Sequence, residues 1–157
     1  MEIAKHYTPS PGKLNIVLAE DDHDDQLLFE DAIDELPVTV DLITFSNGDD
    51  LIKWLKRKKN KLPDALFLDL NMPRKNGFAT LGEIKRNTKL QDLPVIIFST
   101  ATNEEMIKQV FKDAAHYYIS KPANFGELKE LIFKSLKLIA DKDLDIPGKE
   151  SFMLTTD

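Results

Sequence analysis

Residues 18–26 read LAEDDHDDQ, a stretch that puts five carboxylates into six positions directly after an apolar run. Clustered carboxylates repel one another unless a positive charge sits between them. A further acid, Asp69, ends a second short apolar run, and the hydroxyls of Ser99 and Thr100 end a third. Lys121-Pro122 follows the segment HYYIS. Three acids, a hydroxyl and a lysine would converge on one rim, and the clustered acids suit a hard divalent cation. Mg2+ takes oxygen ligands, usually one or two carboxylates with waters and phosphate oxygens. Lysine is a compact point charge that suits a single phosphate oxygen. Glu20, Asp21 and Asp69 are the carboxylates offered to the cation. Asp24 and Asp25 read as favourable negative charge at a helix start, and Asp22 fits either role.

The elements that would gather these residues alternate regularly. LNIVLA (14–19), VTVDLITF (38–45), DALFLDL (64–70), LPVIIFST (93–100) and HYYIS (116–120) read as strands, being β-branched or continuously apolar. A helical period follows each one. Residues 24–36 place Leu28, Ala32 and Leu36 on one face with Ile33 beside them; 46–58 open with Ser46 and Asp49 and carry Leu51, Trp54 and Leu55. Residues 78–87 form a third helix. Residues 102–115 open with Thr102 and Glu105 and carry Met106, Ile107, Val110, Phe111 and Ala114; 124–140 open with Asn124 and Glu127. Five β-then-α units argue for a parallel sheet with helices on both faces. Ligands of such sheets bind beyond the carboxyl ends of the strands, where the acids, hydroxyls and lysine fall. Trp54 reads as a packing residue.

Composition narrows the classes. The 157 residues, 42% hydrophobic and 31% charged, suffice for one domain with a core. Residues 13–140 hold the alternating units, 1–12 form an N-terminal extension, and the polar 141–157, with Pro147 and Gly148, read as a flexible tail. With no cysteine, disulfides and thiolate metal sites are excluded. His6, His23 and His116 make no metal set, and His23 reads as an exposed loop histidine. The net charge of −6 argues against nucleic-acid binding, and the basic run KRKKNK at 56–61 reads as a solvated helix end. No stretch is long enough to span a bilayer and no secretory signal opens the chain, so a cytoplasmic protein away from membranes is expected.

The residues at the strand ends resemble those of the receiver domain of two-component response regulators, the CheY-like group of flavodoxin-like folds. The resemblance covers about residues 13–140. It rests on Glu20-Asp21 after the first strand and on FLDLNMPRKNG, with Asp69, Pro73 and Gly77. Ser99 after PVIIF, the aromatic Tyr118 and the pair Lys121-Pro122 complete it. It implies a five-stranded parallel sheet in the order 2-1-3-4-5. It implies that Asp69 takes a phosphoryl group from a histidine kinase or phosphotransfer protein. Glu20 and Asp21, with Asp69 and the backbone carbonyl of Asn71, would hold Mg2+. Ser99 and Lys121 would bind the phosphoryl group, and Tyr118 would report the position of Ser99 to a downstream protein.

The resemblance also implies a cis peptide before Pro122. Thr100 is the alternative inward hydroxyl should the strand slip by one residue. Ala101, two positions after Ser99, is small enough to admit water, so self-dephosphorylation is expected. Ala114 stands where many members of the family have glycine, and the first acid is Glu rather than Asp. The connection around RKKNKLP is longer than in the shortest members, an insertion shared with some phytochrome-associated regulators. No output domain is recognisable, so a stand-alone receiver without independent substrate turnover is expected. The principal rival is a degenerate receiver that binds partners without phosphorylation. An aspartyl-phosphate phosphatase would need a second aspartate two residues after the nucleophile, where this chain has Asn71. A flavin-binding relative would need a Gly/Thr-rich loop after the first strand.

Overall fold

Strands β1 (Leu14–Ala19), β2 (Val40–Phe45), β3 (Ala65–Leu68), β4 (Val95–Ser99) and β5 (Tyr117–Ser120) pair in parallel in the order β2-β1-β3-β4-β5. This order, seen in a computed structural model, is the expected one. The structure describes residues 13–57, 59, 61–100, 103–141, 148 and 151–156. The expected extension 1–12 lies outside them, as do Ala101 and Thr102. Helices α1 (His23–Asp34), α2 (Gly48–Leu55), α3 (Gly77–Arg86), α4 (Glu104–Lys112) and α5 (Phe125–Ala140) follow the strands in turn. Among the described residues, no helix is long and apolar enough to cross a membrane.

Each helix begins on a short polar side chain that takes up an otherwise unpaired backbone N–H. Asp22 caps α1, and Asn47, Asn76, Asn103 and Asn124 cap the other four. Asn124 was the expected cap of α5. For α4 the cap is Asn103 rather than Thr102, and for α2 it is Asn47 rather than Ser46. Asn47 and Asn103 stand immediately before the first helical residue, where the side-chain oxygen accepts from the third and second helical N–H respectively.

The core has two layers, one on each face of the sheet. One layer holds Val17, Leu68, Ile97 and Tyr118 beneath α2, α3 and α4. The other holds Ile16, Phe67, Phe98 and Ile119 beneath α1 and α5. Alternation along each strand sends neighbouring side chains to opposite layers. On α1 the buried face is Phe29, Ala32 and Ile33, with Leu36 buried just past its end, whereas Leu28 is 45% exposed. The aromatic ring decides this rotation. Phe29 sits edge-on to Phe67 and Phe98, with ring centroids 5.0 and 5.5 Å away. On α4 only Val110 is fully buried, and Met106, Ile107 and Phe111 pack partly exposed. Trp54 packs against Phe45 at 5.5 Å, as a packing residue should.

Two backbone features bear on the site. Gly77 opens α3 directly against the acceptor loop: a Cβ there would lie 2.2 Å from the Asp69 carbonyl oxygen and 2.7 Å from the Leu70 Cα. Only glycine allows that approach. Ala114, just beyond the end of α4, has φ of 65°, in the left-handed region where a Cβ crowds the backbone and which glycine adopts freely.

The C-terminal segment departs from expectation. Residues 151–156 are docked, which corrects the reading of 141–157 as flexible for this part of it. The Tyr118 N–H donates to the Phe152 carbonyl and the Leu154 N–H donates to the Tyr118 carbonyl, each at 2.9 Å, in a parallel bridge on the outer edge of β5. Phe152 enters the α4 layer and Leu154 the α5 layer. Lys134 of α5 donates to the Thr155 carbonyl at 3.0 Å. The segment is polar on average but carries Phe152, Met153 and Leu154 together, and burying these side chains offsets the entropy of ordering it.

Candidate functional site

The sheet register sets strand ends side by side. Ala19 pairs with Leu68 and Phe45, and Ser99 pairs with Ser120. The next residue of each strand is tied to its neighbour: Glu20 N–H to the Phe45 carbonyl at 2.9 Å, Asp69 N–H to the Ala19 carbonyl at 3.0 Å, and Lys121 N–H to the Ser99 carbonyl at 3.0 Å. Glu20, Asp69 and Lys121 are therefore held by backbone that belongs to the sheet. Together with Asp21, Asn71 and Thr100 they line one open pocket, whose opposite wall is Asp22, His23, Asp24 and Asp25 at the start of α1. His23 is exposed, as expected.

Glu20 and Asp69 are almost sealed from solvent, at 0% and 5% exposure, and two such carboxylates require positive charge nearby. Lys121 supplies part of it. Its ammonium donates to Glu20 and, at 3.0 Å, to Asp25, and stands 3.7 Å from Asp69. It also lies 5.2 Å from the centre of the Phe98 ring. Burial alone would lower the lysine pKa. The hydrogen bonds it donates to Glu20 and Asp25, with the field of Asp69, outweigh burial and leave it raised. Burial raises Glu20 to about 7, and the neighbouring charge of Asp69 adds to the shift. One lysine thus leaves the acids short of positive charge.

Carboxylate oxygens of Glu20, Asp21 and Asp69 all lie within 4.8 Å of one another, close enough to hold one cation. The donors are all oxygen, which selects a hard ion over a thiophilic one. The expected carboxylate set is thus brought together and fits a divalent metal. Asn71 lies beside it, its N–H donating to Asp69 at 3.4 Å.

Ser99 and Thr100 divide their roles. Thr100 is exposed on the pocket wall. Ser99 is fully buried one residue earlier, within β4, and hydrogen-bonds the phenol of Tyr118. Burial raises the Tyr118 pKa above its ordinary value; the Ser99 bond opposes this and the Asp69 charge reinforces it. Contacts therefore run from Ser99, one residue before the pocket-lining Thr100, through Tyr118 to Phe152 at the edge of the sheet.

Two expectations are corrected here. There is no cis peptide among the described residues, so the bond before Pro122 is trans, and Lys121 reaches the acids without that turn. This is the isomer the amide itself prefers. Asp25 is not simply a helix-start charge: Asp22 is the cap, accepting from the Asp25 N–H at 3.1 Å, and the Asp25 side chain turns to Lys121. The sequence alone does not show this, because the partner lies 96 positions further along the chain.

The comparisons with known proteins agree with this geometry. The family profile of the response regulator receiver domain matches residues 16–133. Response regulator Rcp1 of Synechocystis sp. is 27% identical over 121 residues, covering 74% of this chain and 82% of Rcp1. The probable methanogenesis regulatory protein FilR2 of Methanothrix harundinacea is 27% identical over 120 residues, covering 74% of this chain and 77% of FilR2. Among solved structures, the phosphorylated cyanobacterial phytochrome response regulator RcpA superposes with a TM-score of 0.74 at 29% identity, over 87% of this chain and 100% of RcpA. The Mn2+-bound form of Rcp1 superposes with a TM-score of 0.69 at 27% identity, over 86% and 99% of the two chains. With that fold, that order of strands and those acids at their ends, the chain belongs to the response regulator receiver domains of two-component signalling.

Proposed function

We propose that Asp69 accepts a phosphoryl group from a histidine kinase or phosphotransfer protein in the cytoplasm, with Mg2+ bound by Glu20, Asp21, Asp69 and the Asn71 carbonyl. The observation that carries this reading is the buried Asp69 carboxylate, within 4.8 Å of the other two acids and 3.7 Å from Lys121, lining an open pocket. RcpA, described in its phosphorylated form, and Rcp1, described with Mn2+, support it as relatives.

An Asp69 carboxylate oxygen attacks phosphorus, and a P–O bond to Asp69 forms as the P–N bond to the donor imidazole breaks. The imidazole keeps the electron pair and takes a proton. Attack by one anion on another depends on neutralised charge and on position. Mg2+, when bound, supplies charge neutralisation for the phosphoryl oxygens. Lys121 pairs with one of those oxygens, and the backbone of β3 with Gly77 behind it fixes the nucleophile.

Ser99 then turns its hydroxyl to the phosphoryl group, and Tyr118 passes the change to the surface of α4, β5 and α5. A partner that binds the two states differently reads it. Hydrolysis of the acyl phosphate resets the domain, with no turnover of an independent substrate.

The test is intact mass after incubation with acetyl phosphate and Mg2+, for the wild type and Asp69→Asn, with and without EDTA. One added phosphoryl group in the wild type, absent from Asp69→Asn and from the EDTA sample, is the expected result. An adduct that persists in Asp69→Asn would overturn it. A wild type that stays unmodified with acetyl phosphate and with a panel of histidine kinases would point instead to a phosphorylation-independent receiver.

A further inference from the structure

Lys121 has three carboxylate neighbours, and only two of them belong to the cation set. Glu20 and Asp69 contribute oxygens to the group within 4.8 Å; Asp25 does not. Asp25 nevertheless makes a 3.0 Å contact to the ammonium, shorter than the 3.7 Å to Asp69. A cation that draws in Glu20 and Asp69 leaves Asp25 as the carboxylate still facing Lys121.

We infer that Asp25 is a positioning residue that parks Lys121 and competes with the phosphoryl group for it, setting the rate at which Asp69 is phosphorylated. This rests on the phosphoryl-acceptor reading of Asp69.

The position suits a reversible partner. Asp25 stands in the first turn of α1, with its own N–H bound to the Asp22 cap. A negative charge at a helix N-terminus is favoured by the helix itself, so the Asp25 carboxylate has a stabilising partner besides Lys121. The Asp25 side chain is 33% exposed and that of Lys121 10%. Water replaces the lysine at Asp25 easily when it swings away, whereas an unpartnered Lys121 is costly in its buried setting. The lysine is thus always paired, first with Asp25 and then with the phosphoryl oxygens. The pull of Asp25 must be overcome as phosphorus reaches Asp69.

The adjacent Asp24 separates this role from bulk charge. It lines the same pocket and carries the same charge. Among the described residues, the carboxylates paired with Lys121 are Glu20, Asp25 and Asp69, not Asp24.

The experiment compares full-length wild type, Asp25→Asn, Asp25→Glu and Asp24→Asn. Phosphorylation by acetyl phosphate with saturating Mg2+ is followed by intact mass, separating donor affinity from the maximal rate. Lys121 is followed by its ammonium nitrogen resonance in 15N-lysine-labelled protein with Mg2+. The expected result is a maximal rate roughly three- to tenfold higher in Asp25→Asn than in Asp24→Asn, the range of a partly exposed ion pair. Asp25→Glu returns it towards the wild-type value, and the Lys121 resonance moves in Asp25→Asn alone. Equal rates in Asp25→Asn and Asp24→Asn, with Asp69 still phosphorylated, would overturn the role of Asp25 and leave the acceptor reading intact. A wild type that takes no phosphoryl group would overturn both.

Discussion

Tyr118 and Phe152 meet twice, through rings whose centroids are 6.2 Å apart and through a 2.9 Å hydrogen bond from the Tyr118 N–H to the Phe152 carbonyl. The far end of the same tyrosine is bonded to Ser99 beneath the acidic pocket. The C-terminal segment thus closes over a buried tyrosine that joins Ser99 of β4 to the outer edge of β5. Phe152 also meets Phe111 of α4 edge-on at 5.1 Å, so the segment ties β5 to α4 as well.

Removing that ring tests the seal. Phe152→Ala deletes a side chain that is 2% exposed. A fully rigid core would lose ~3–5 kcal/mol for such a change. A terminal segment escapes part of that cost by undocking, so about 2 kcal/mol is expected in chemical denaturation. Amide exchange at Tyr118 and Leu154, whose N–H groups make the bridge, should rise together. Unchanged protection at both would show that the segment does not depend on this ring.

Ala114 predicts a gain. With φ of 65°, its Cβ is crowded in a conformation that glycine adopts freely. Relief of about 1–2 kcal/mol is partly offset by the greater freedom of glycine in the unfolded chain. Ala114→Gly should therefore stabilise the domain by about 0.5–1 kcal/mol in denaturant unfolding. A loss of stability would contradict the left-handed assignment.

His116 predicts a pH dependence. Its Nδ1 accepts the Val95 N–H at 3.2 Å, and burial, aided by the charge of Lys85, lowers its pKa to about 4 from an ordinary 6.5. The folded state holds the neutral ring, so between pH 6.5 and 4 the unfolded chain binds the extra proton. Stability contributed by the neutral ring is complete above pH 6.5 and is lost as pH falls to 4, by about 3 kcal/mol for a shift of this size. His116→Gln keeps an acceptor and removes the titration. The difference in unfolding free energy between the two proteins should shrink or change sign on acidification through that window. A difference that does not vary with pH would contradict a buried neutral histidine.

The legibility of the fold followed from periodicity. Five apolar runs with capped amphipathic segments between them suffice to place β1 at Leu14–Ala19 and α5 at Phe125–Ala140. The site was legible because strand ends in a parallel sheet converge, so Glu20, Asp21, Asp69 and Lys121 declare themselves by position. What escaped depended on contacts distant in sequence. Leu28 and Phe29 are both apolar neighbours, and only the rings of Phe67 and Phe98 decide which of them turns inward. Asp25 looks like a helix-start charge until β5 brings Lys121 to it. Phe152 lies in a polar stretch whose average hides it, and its pocket is built by α4 and β5, more than thirty positions back in the chain.

Among all the acids of this pocket, Asp69 is the one proposed to carry the phosphoryl group. Borohydride reduces an acyl phosphate to the alcohol, converting the modified aspartate to homoserine, which peptide sequencing by mass spectrometry locates. After acetyl phosphate and Mg2+, homoserine is expected at position 69 alone. Homoserine at 21, 22 or 25, or reduction spread over several of these acids, would contradict it.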